Sequence, residues 1–462
     1  MHSTTDTIAA LSTAPGEAGI AVIRVSGPEA LGVLDRVLRT PADRRFEGDW
    51  EHRRLYHGGF FDPAGERVDD VMAAVMRAPD SYTGDDVVEI SCHGGSAVVA
   101  RILETLFASG ARPAQPGEFT QRAFLNGKMD LIQAEAVADM IHARTELQRV
   151  VAERQLRGAL SRRIDALADD MMTLLAVVEA NIDFIEEGID ALDVPAALAT
   201  IARQRPELDD LLSTSSLSRP LREGYRVVIA GPVNAGKSSL FNRLTGEPHA
   251  IVTEIPGTTR DVLRETVVIE GVPFILHDTA GLRDGTPDRV EAIGIGRAVD
   301  AAESADVVVF VLDASERALA GDVREALARL DASRTLVVWN KVDRGEDVDA
   351  GAAPRDIAHV RASAVTGQGV DEIRRELLRL AGSEVLARTA RDRAILNARL
   401  VTLLADARAR LDTLGQAVES REPLELLAVQ ARDVLSLYEE ATGRRYHDGL
   451  LDVIFSRFCI GK

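Results

Sequence analysis

Two cysteines, Cys92 and Cys459, are all the thiols in 462 residues. That is too few for a disulfide framework or a four-thiolate metal site. Long apolar runs are missing as well. The longest clear one, 307–312, is six residues and ends at Asp313, whereas a membrane-spanning helix needs roughly 20. The opening residues lack a basic segment followed by an apolar core, so they do not read as a signal peptide. No repeat recurs at solenoid period, and no segment is low in complexity. Basic residues are in deficit: Lys plus Arg is 54 against 73 Asp plus Glu, a net charge of −19. Proteins that coat nucleic acid or anionic membranes with their whole surface are usually basic. The balance therefore favours a cytoplasmic chain whose basic residues, where they act, act locally. At 49.8 kDa and 46% hydrophobic, the chain has material for about three self-sufficient cores.

Composition divides the chain. Residues 1 to about 125 mix short β-like runs (19–25, 86–91) with Gly and Pro, as in an α+β domain. Residues 131–176 and 192–212 carry helical periodicity, and 213–220 reads as a polar linker. From 225 to about 380, apolar runs at 226–230, 266–270, 273–277, 307–312 and 335–339 alternate with helical patterns. Gly271 is placed to turn one run into the next. This is the rhythm of a doubly wound α/β sheet. Helical character returns at 385–414 and 424–442. The expected architecture is α/β plus α+β plus all-α, with a P-loop domain inserted in a helical domain. The boundaries are 1–127, 128–222, 223–380 and 381–462.

The chemistry concentrates in the α/β zone. Gly231-Pro-Val-Asn-Ala-Gly-Lys-Ser238 matches GxxxxGK[ST] between an expected strand and an expected helix starting at Ser239, the context this phosphate-binding loop requires. Its backbone N–H groups, those of Asn234, Ala235 and Gly236 included, can cradle phosphate. Lys237 reaches the β/γ-phosphates, and Ser238 offers a hydroxyl to Mg²⁺. Asp278-Thr279-Ala280-Gly281 ends a strand, where Asp278 can hold the Mg²⁺ shell and Gly281 can sense a γ-phosphate. Asn340-Lys341-Val-Asp343 ends another. Asp343 there can accept two N–H bonds from guanine, which adenine cannot offer. Ser363-Ala364 follows and can support the guanine O6. Gly257-Thr258-Thr259 occupies the place of a first switch, where one threonine completes the Mg²⁺ shell.

Leu282 stands where Ras-type GTPases carry a water-orienting Gln. Water must then be oriented otherwise, through a monovalent cation on Asn234 or through Glu291. Read alone, Glu291 is a solvated helix carboxylate.

These motifs, with Asp278-Thr-Ala-Gly-Leu-Arg283 and the terminal Phe455-Ser-Arg-Phe-Cys459-Ile-Gly-Lys462, resemble the MnmE (TrmE) branch of the translation-factor-like GTPases. The N-terminal zone matches too, in Gly19-Ile-Ala-Val-Ile-Arg24-Val-Ser-Gly27, Ser81-Tyr-Thr-Gly84, Cys92-His-Gly-Gly95 and Pro116-Gly-Glu-Phe-Thr120. The resemblance implies a dimer whose N-terminal domain is similar to a folate-binding glycine-cleavage T protein. It implies K⁺-dependent GTP hydrolysis activated by dimerisation. With an FAD-dependent MnmG subunit in a heterotetramer, such a chain would add a carboxymethylaminomethyl or aminomethyl group to C5 of a tRNA wobble uridine. The one-carbon unit would come from a tetrahydrofolate derivative (5-formyl- or methylene-).

Carried over by position, the K⁺ ligands fall on Asn234, Thr253, Ile255 and Thr258, and the Mg²⁺ ligands on Ser238 and Thr259. The water-bridging glutamate falls on Glu291, and folate contacts on Arg24, Glu89, Lys128 and Lys462. Pro232-Val233 departs from the family's usual loop without removing a ligand, and His447-Asp448 is given no role. Cys459 reads as a packed thiol rather than a nucleophile, and His93 as a loop residue rather than a base. A ribosome-assembly GTPase with the same G domain, or a purely regulatory switch, is the competing reading. Arginine-rich stretches at 144–163 and 388–410, each with local charge +4, are either a tRNA or partner face or solvated helix surface.

Overall fold

The computed structural model describes residues 6–47, 49–183, 192–246, 264–278, 305–316, 319, 321–345, 354, 356–382 and 394–462. The chain forms two compact units. One comprises residues 1–141, 154–201 and 409–462; the other comprises 142–153 and 202–408.

The first unit is built on a seven-stranded sheet. Its strands are β1 (Ile8–Leu11), β2 (Ala18–Ser26), β3 (Leu38–Arg39), β4 (Arg54–Phe61), β5 (Arg67–Met76), β6 (Val87–Gly94) and β7 (Arg112–Pro113), in the order β3-β4-β5-β6-β2-β1-β7. Strict alternation decides its faces. Ala21, Ile23 and Val25 of β2, Val71, Ala73 and Val75 of β5, and Val88, Ile90 and Cys92 of β6 are buried. They share one core with Val33, Leu34, Ile102 and Leu106, from helices Ala30–Val37 and Ser96–Ala108. The opposite face carries Arg24, Glu89 and His93. The same unit pairs helix Ala159–Asp183 with helix Leu424–Thr442. Ile164, Leu167, Ala168, Met171, Leu174, Leu175 and Val178 form the buried stripe of the first helix, with the three-and-four spacing of an amphipathic helix.

The second unit holds β8 (Tyr225–Ala230), β9 (Arg264–Ile269), β10 (Val272–Asp278), β11 (Val307–Asp313), β12 (Thr335–Asn340) and β13 (Ala358–Arg361). Their order is β13-β12-β11-β8-β10-β9. Every neighbouring pair is parallel except β9 and β10. Those two meet through Glu270 (φ 48°) and Gly271 (φ 83°), a two-residue turn whose positive φ values suit the strand twist. Strands covered on both faces read as unbroken apolar runs, as 227–230 of β8, 307–312 of β11 and 336–339 of β12 do. Each expected run in this zone is a strand, with ends moved by one or two residues.

Three expectations fail locally. Residues 213–220 are not a linker, because helix Ser215–Glu223 occupies them. Its serines concealed the i, i+4 pair Leu217 and Leu221, which packs on the core beneath β8 and β10. The run 131–176 is not continuous but forms helices Leu131–His142, Glu146–Leu156 and Ala159–Asp183. A capping box starts the middle one: Thr145 Oγ1 accepts from the Gln148 N–H at 3.2 Å, and Gln148 Oε1 accepts from the Thr145 N–H at 3.0 Å. His447 also has a role. Its ring nitrogen accepts from the Leu450 N–H at 3.1 Å and caps helix Asp448–Phe455.

Candidate functional sites

In the second unit, the C-terminal ends of β8, β11 and β12 lie side by side, where open parallel sheets bind ligands. The phosphate loop leaves β8 and turns through Asn234 (φ 64°) into helix Lys237–Thr245. Ser238 and Ser239 stand in that helix's first turn. Lys237 Nζ donates to the carbonyls of Gly231 (2.9 Å) and Pro232 (2.7 Å), across the mouth of its own loop.

The guanine motif is tied to this loop. Asn340 is buried, and its Nδ2 donates to the Ala235 carbonyl at 2.9 Å while its Oδ1 accepts from the Ala364 N–H at 3.0 Å. The approach leaves no room for a side chain at Gly236. Its φ is +95°, and a Cβ there would lie 2.2 Å from Asn340 Nδ2. Lys341 Nζ donates to the Asn234 carbonyl at 2.5 Å and to Asp313 Oδ2 at 2.7 Å. Ser363, fully buried, donates through Oγ to Asp343 Oδ1 at 2.5 Å, which fixes the carboxylate that would read the guanine edge.

Arg243 escaped the sequence reading. Its Nε and Nη2 donate to the carbonyls of Ala364 (3.1 Å) and Val365 (2.7 Å) and hold the loop that would face O6. Nothing in the motif patterns marks it, because it sits a full turn beyond the phosphate loop. Asp278 ends β10 in register with Ile229 of β8, beside the phosphate loop. Thr253, Ile255, Thr258, Thr259, Thr279, Ala280, Gly281 and Glu291 lie outside the described residues.

The first unit gathers the other expected residues. Arg24 and Glu89 are register partners on β2 and β6. Arg24 Nε and Nη2 both donate to Glu89 Oε1, at 3.0 and 2.7 Å. The guanidinium lies 5.1 Å from the Tyr82 ring centroid and 5.6 Å from that of Phe119, within cation–π reach of both. Tyr82 Oη is 2.9 Å from Thr120 Oγ1, and burial, outweighing that contact, pushes the phenol above its usual pKa.

The C-terminal segment threads into the same place. Ile460 bridges Pro116, Ser12 Oγ donates to the Gly461 carbonyl at 3.1 Å, and the Phe119 N–H donates to Lys462 O at 3.2 Å. Lys128 Nζ donates to the Pro79 carbonyl at 2.9 Å, on the loop that carries Tyr82. Arg24 and Glu89 are thus paired, the Lys462 main chain is held on Phe119, whose ring lies under Arg24, and Lys128 bonds the loop that carries Tyr82. Tyr82 and Phe119 were not singled out individually, although both lie in motifs quoted for the resemblance.

Two smaller expectations are corrected. Cys459 is exposed rather than packed, whereas Cys92 is buried, and burial pushes its thiol up to about 11. His93 is no loop residue. It belongs to β6, and Asp69 accepts from both its N–H (2.8 Å) and its Nδ1 (2.7 Å).

The arginine-rich stretches spend part of their charge internally. Arg144 donates to Thr266 Oγ1 at 2.9 Å, Arg408 to Asp209 at 2.8 Å and Arg410 to Asp433 at 3.0 Å. Arg154 is exposed.

A family model described as "MnmE helical domain" matches residues 131–459, and one described as "GTP-binding protein TrmE N-terminus" matches residues 7–128. Relatives named tRNA modification GTPase MnmE match almost end to end. That of Geobacter sulfurreducens is 43% identical over 460 residues, 99% of each chain. That of Natranaerobius thermophilus is 40% identical over 464 residues, 99% of this chain and 100% of the relative. That of Symbiobacterium thermophilum is 43% identical over 461 residues, again 99% of each.

Proposed function

The chain belongs to the MnmE (TrmE) family of tRNA modification GTPases, and from that premise we propose a specific division of labour within it. It is a GTPase, and as such it binds nucleotide with Mg²⁺. Ser238, in the first turn of the helix that follows the phosphate loop, would ligate the ion together with Thr259. The bound ion would neutralise charge on the β- and γ-phosphates. The chain's own contribution is to cradle the phosphates with loop N–H groups and Lys237, and to select guanine with Asp343. Asn234, Thr253, Ile255 and Thr258 would hold K⁺ in place of an arginine finger's charge, with Glu291 bridging to water.

We assign residues 1–127 to folate binding and dimerisation. Residues 128–222 and 381–462 form the helical domain, interrupted by the G domain at 223–380. The reaction is addition of a carboxymethylaminomethyl or aminomethyl group to C5 of the tRNA wobble uridine. It uses a tetrahydrofolate one-carbon unit, and the chain acts as a homodimer with the FAD-dependent MnmG subunit in the cytoplasm. Among the described residues, no helix is long and apolar enough to cross a membrane.

One observation carries the folate reading: Arg24, Glu89, Tyr82, Phe119 and the Gly461-Lys462 segment meet on one patch. A carboxylate suits the N–H edge of a pterin, cations suit folate carboxylates, and rings suit its flat body. The Arg24–Glu89 pair already satisfies part of this chemistry, with both bonds on Oε1. A ligand would therefore exchange partners rather than meet a bare charge.

Calorimetry with 5-formyltetrahydrofolate on the full chain tests the assignment. Saturable binding is expected, with Glu89→Gln weakening it about tenfold, the scale of one charge-assisted hydrogen bond. Absence of binding, with normal wobble-uridine modification in a strain carrying that variant, would defeat it.

A further inference from the structure

Asp313 ends the apolar strand β11 and belongs to none of the motifs that carry the nucleotide chemistry. Its position is unusual all the same. The strand runs between β8, which feeds the phosphate loop, and β12, which ends in the guanine motif. Asp313 stands in register with Asn340 of β12, and the Ala314 N–H donates to the Asn340 carbonyl at 2.7 Å. The carboxylate divides its two oxygens. Oδ1 accepts from the Ser315 N–H (3.0 Å) and Oγ (2.7 Å), while Oδ2 accepts from Lys341 Nζ at 2.7 Å. The two side chains of this ion pair are only 14% and 19% exposed. Burial of that degree makes the counter-charge matter more than on a wet surface.

Lys341 spends its other described bond on the Asn234 carbonyl, and its neighbour Asn340 holds the Ala235 carbonyl. Two consecutive side chains of the guanine motif thus grip two consecutive carbonyls of the phosphate loop. We propose that Asp313 is a positioning residue for nucleotide binding, orienting the Lys341 ammonium so that it fixes the phosphate loop at Asn234. The carboxylate's titration agrees: burial pushes it up, but the bonds from Lys341 and Ser315 prevail and hold it below the usual carboxylate range. Asp313 need not touch nucleotide. It acts through Lys341 on the loop, and so on the phosphates. The inference uses only nucleotide binding and is independent of the folate and K⁺ assignments.

The test measures release of fluorescently labelled GDP and IDP from the full-length chain. Asp313→Asn keeps the shape and the Ser315 bonds but removes the charge. It is expected to speed release about tenfold, the scale of a charge-assisted hydrogen bond. Because the effect reaches the phosphates and not the base, GDP and IDP should be affected equally. Asp343→Asn should instead penalise GDP more, since inosine lacks the 2-amino donor. Lys341→Met should be epistatic: adding Asp313→Asn to it should change release by less than about twofold, as for two residues acting through one contact. The unfolding midpoint of the nucleotide-free Asp313→Asn chain should fall only slightly, since the carboxylate, held below its usual range, also stabilises the fold. Native release rates would overturn the proposal. So would effects that multiply with Lys341→Met, or a midpoint that falls in step with affinity, which would mark Asp313 as a residue of the fold alone.

Discussion

His93 shows what a single residue can conceal in a sequence. Beside two glycines it reads as part of a loop, yet it closes a strand and bonds a largely buried Asp69. The pairing has a pH signature. The hydrogen bond to Asp69 and then its charge raise the imidazole above its ordinary value of 6.5. Burial pushes Asp69 up, but the bonds from the His93 backbone and ring outweigh it and leave the carboxylate below its usual 3.8. The signs follow. The imidazolium's contribution to stability is complete below 6.5 and fades as pH rises through the raised value. The carboxylate's is complete above 3.8 and fades as pH falls through the lowered one. A proton NMR titration of the His93 ring should give a pKa above 6.5 that returns towards it in Asp69→Asn. A native value at or below 6.5 would show that the pair does not form in solution. The ordered motifs of the nucleotide site were legible because each residue type answers a local chemical need. The Asp69–His93 pair was not, because its partners lie on different strands and only the register of β5 and β6 joins them.

Among the elements, strands and hairpin turn were legible where pattern and turn chemistry agreed, as in β8 to β10. Capping boxes set other boundaries. Asp130 and Gln133 exchange side-chain bonds at 2.9 Å each, as Thr145 and Gln148 do, and these pairs fix helix starts that periodicity alone blurred. The C-terminal segment was recognisable only as a signature. Its physical reason is close packing within the first unit: Gly461 has φ +94°, and a Cβ there would lie 2.1 Å from the Leu11 carbonyl oxygen. No residue with a Cβ fits without moving backbone. Gly461→Ala should therefore displace the segment from β1 and lose the Ser12 and Phe119 bonds. The expected cost is about 1–3 kcal/mol of stability. Amide exchange at Phe119 should accelerate while the phosphate-loop amides are unaffected. Unchanged protection at Phe119 would mean that the segment tolerates a Cβ.

At the scale of the whole molecule, the question is how a chain of charge −19 serves a tRNA. Long-range repulsion opposes a polyanion, and only local cation clusters can reverse it. The arginine-rich helices looked like such clusters, but several of their guanidiniums are engaged. Arg408 and Arg410 pair with Asp209 and Asp433, and Arg144 bonds Thr266. A guanidinium that already faces a carboxylate releases fewer counterions on meeting phosphate, so it contributes less to affinity. The chain alone should bind tRNA no better than non-specific binders, with Kd above roughly 1 μM near physiological salt. In the proposed assembly, adding the FAD-dependent subunit should tighten binding, because it would add cationic surface to a chain of net charge −19. Within the chain, Arg154 is exposed. Arg154→Glu together with Arg157→Glu should weaken tRNA or partner binding at low salt and flatten the salt dependence. Nanomolar tRNA binding by the isolated chain would place the recognition surface here and not on the partner. Binding indifferent to the double charge reversal would return the 144–163 stretch to the role of solvated helix surface.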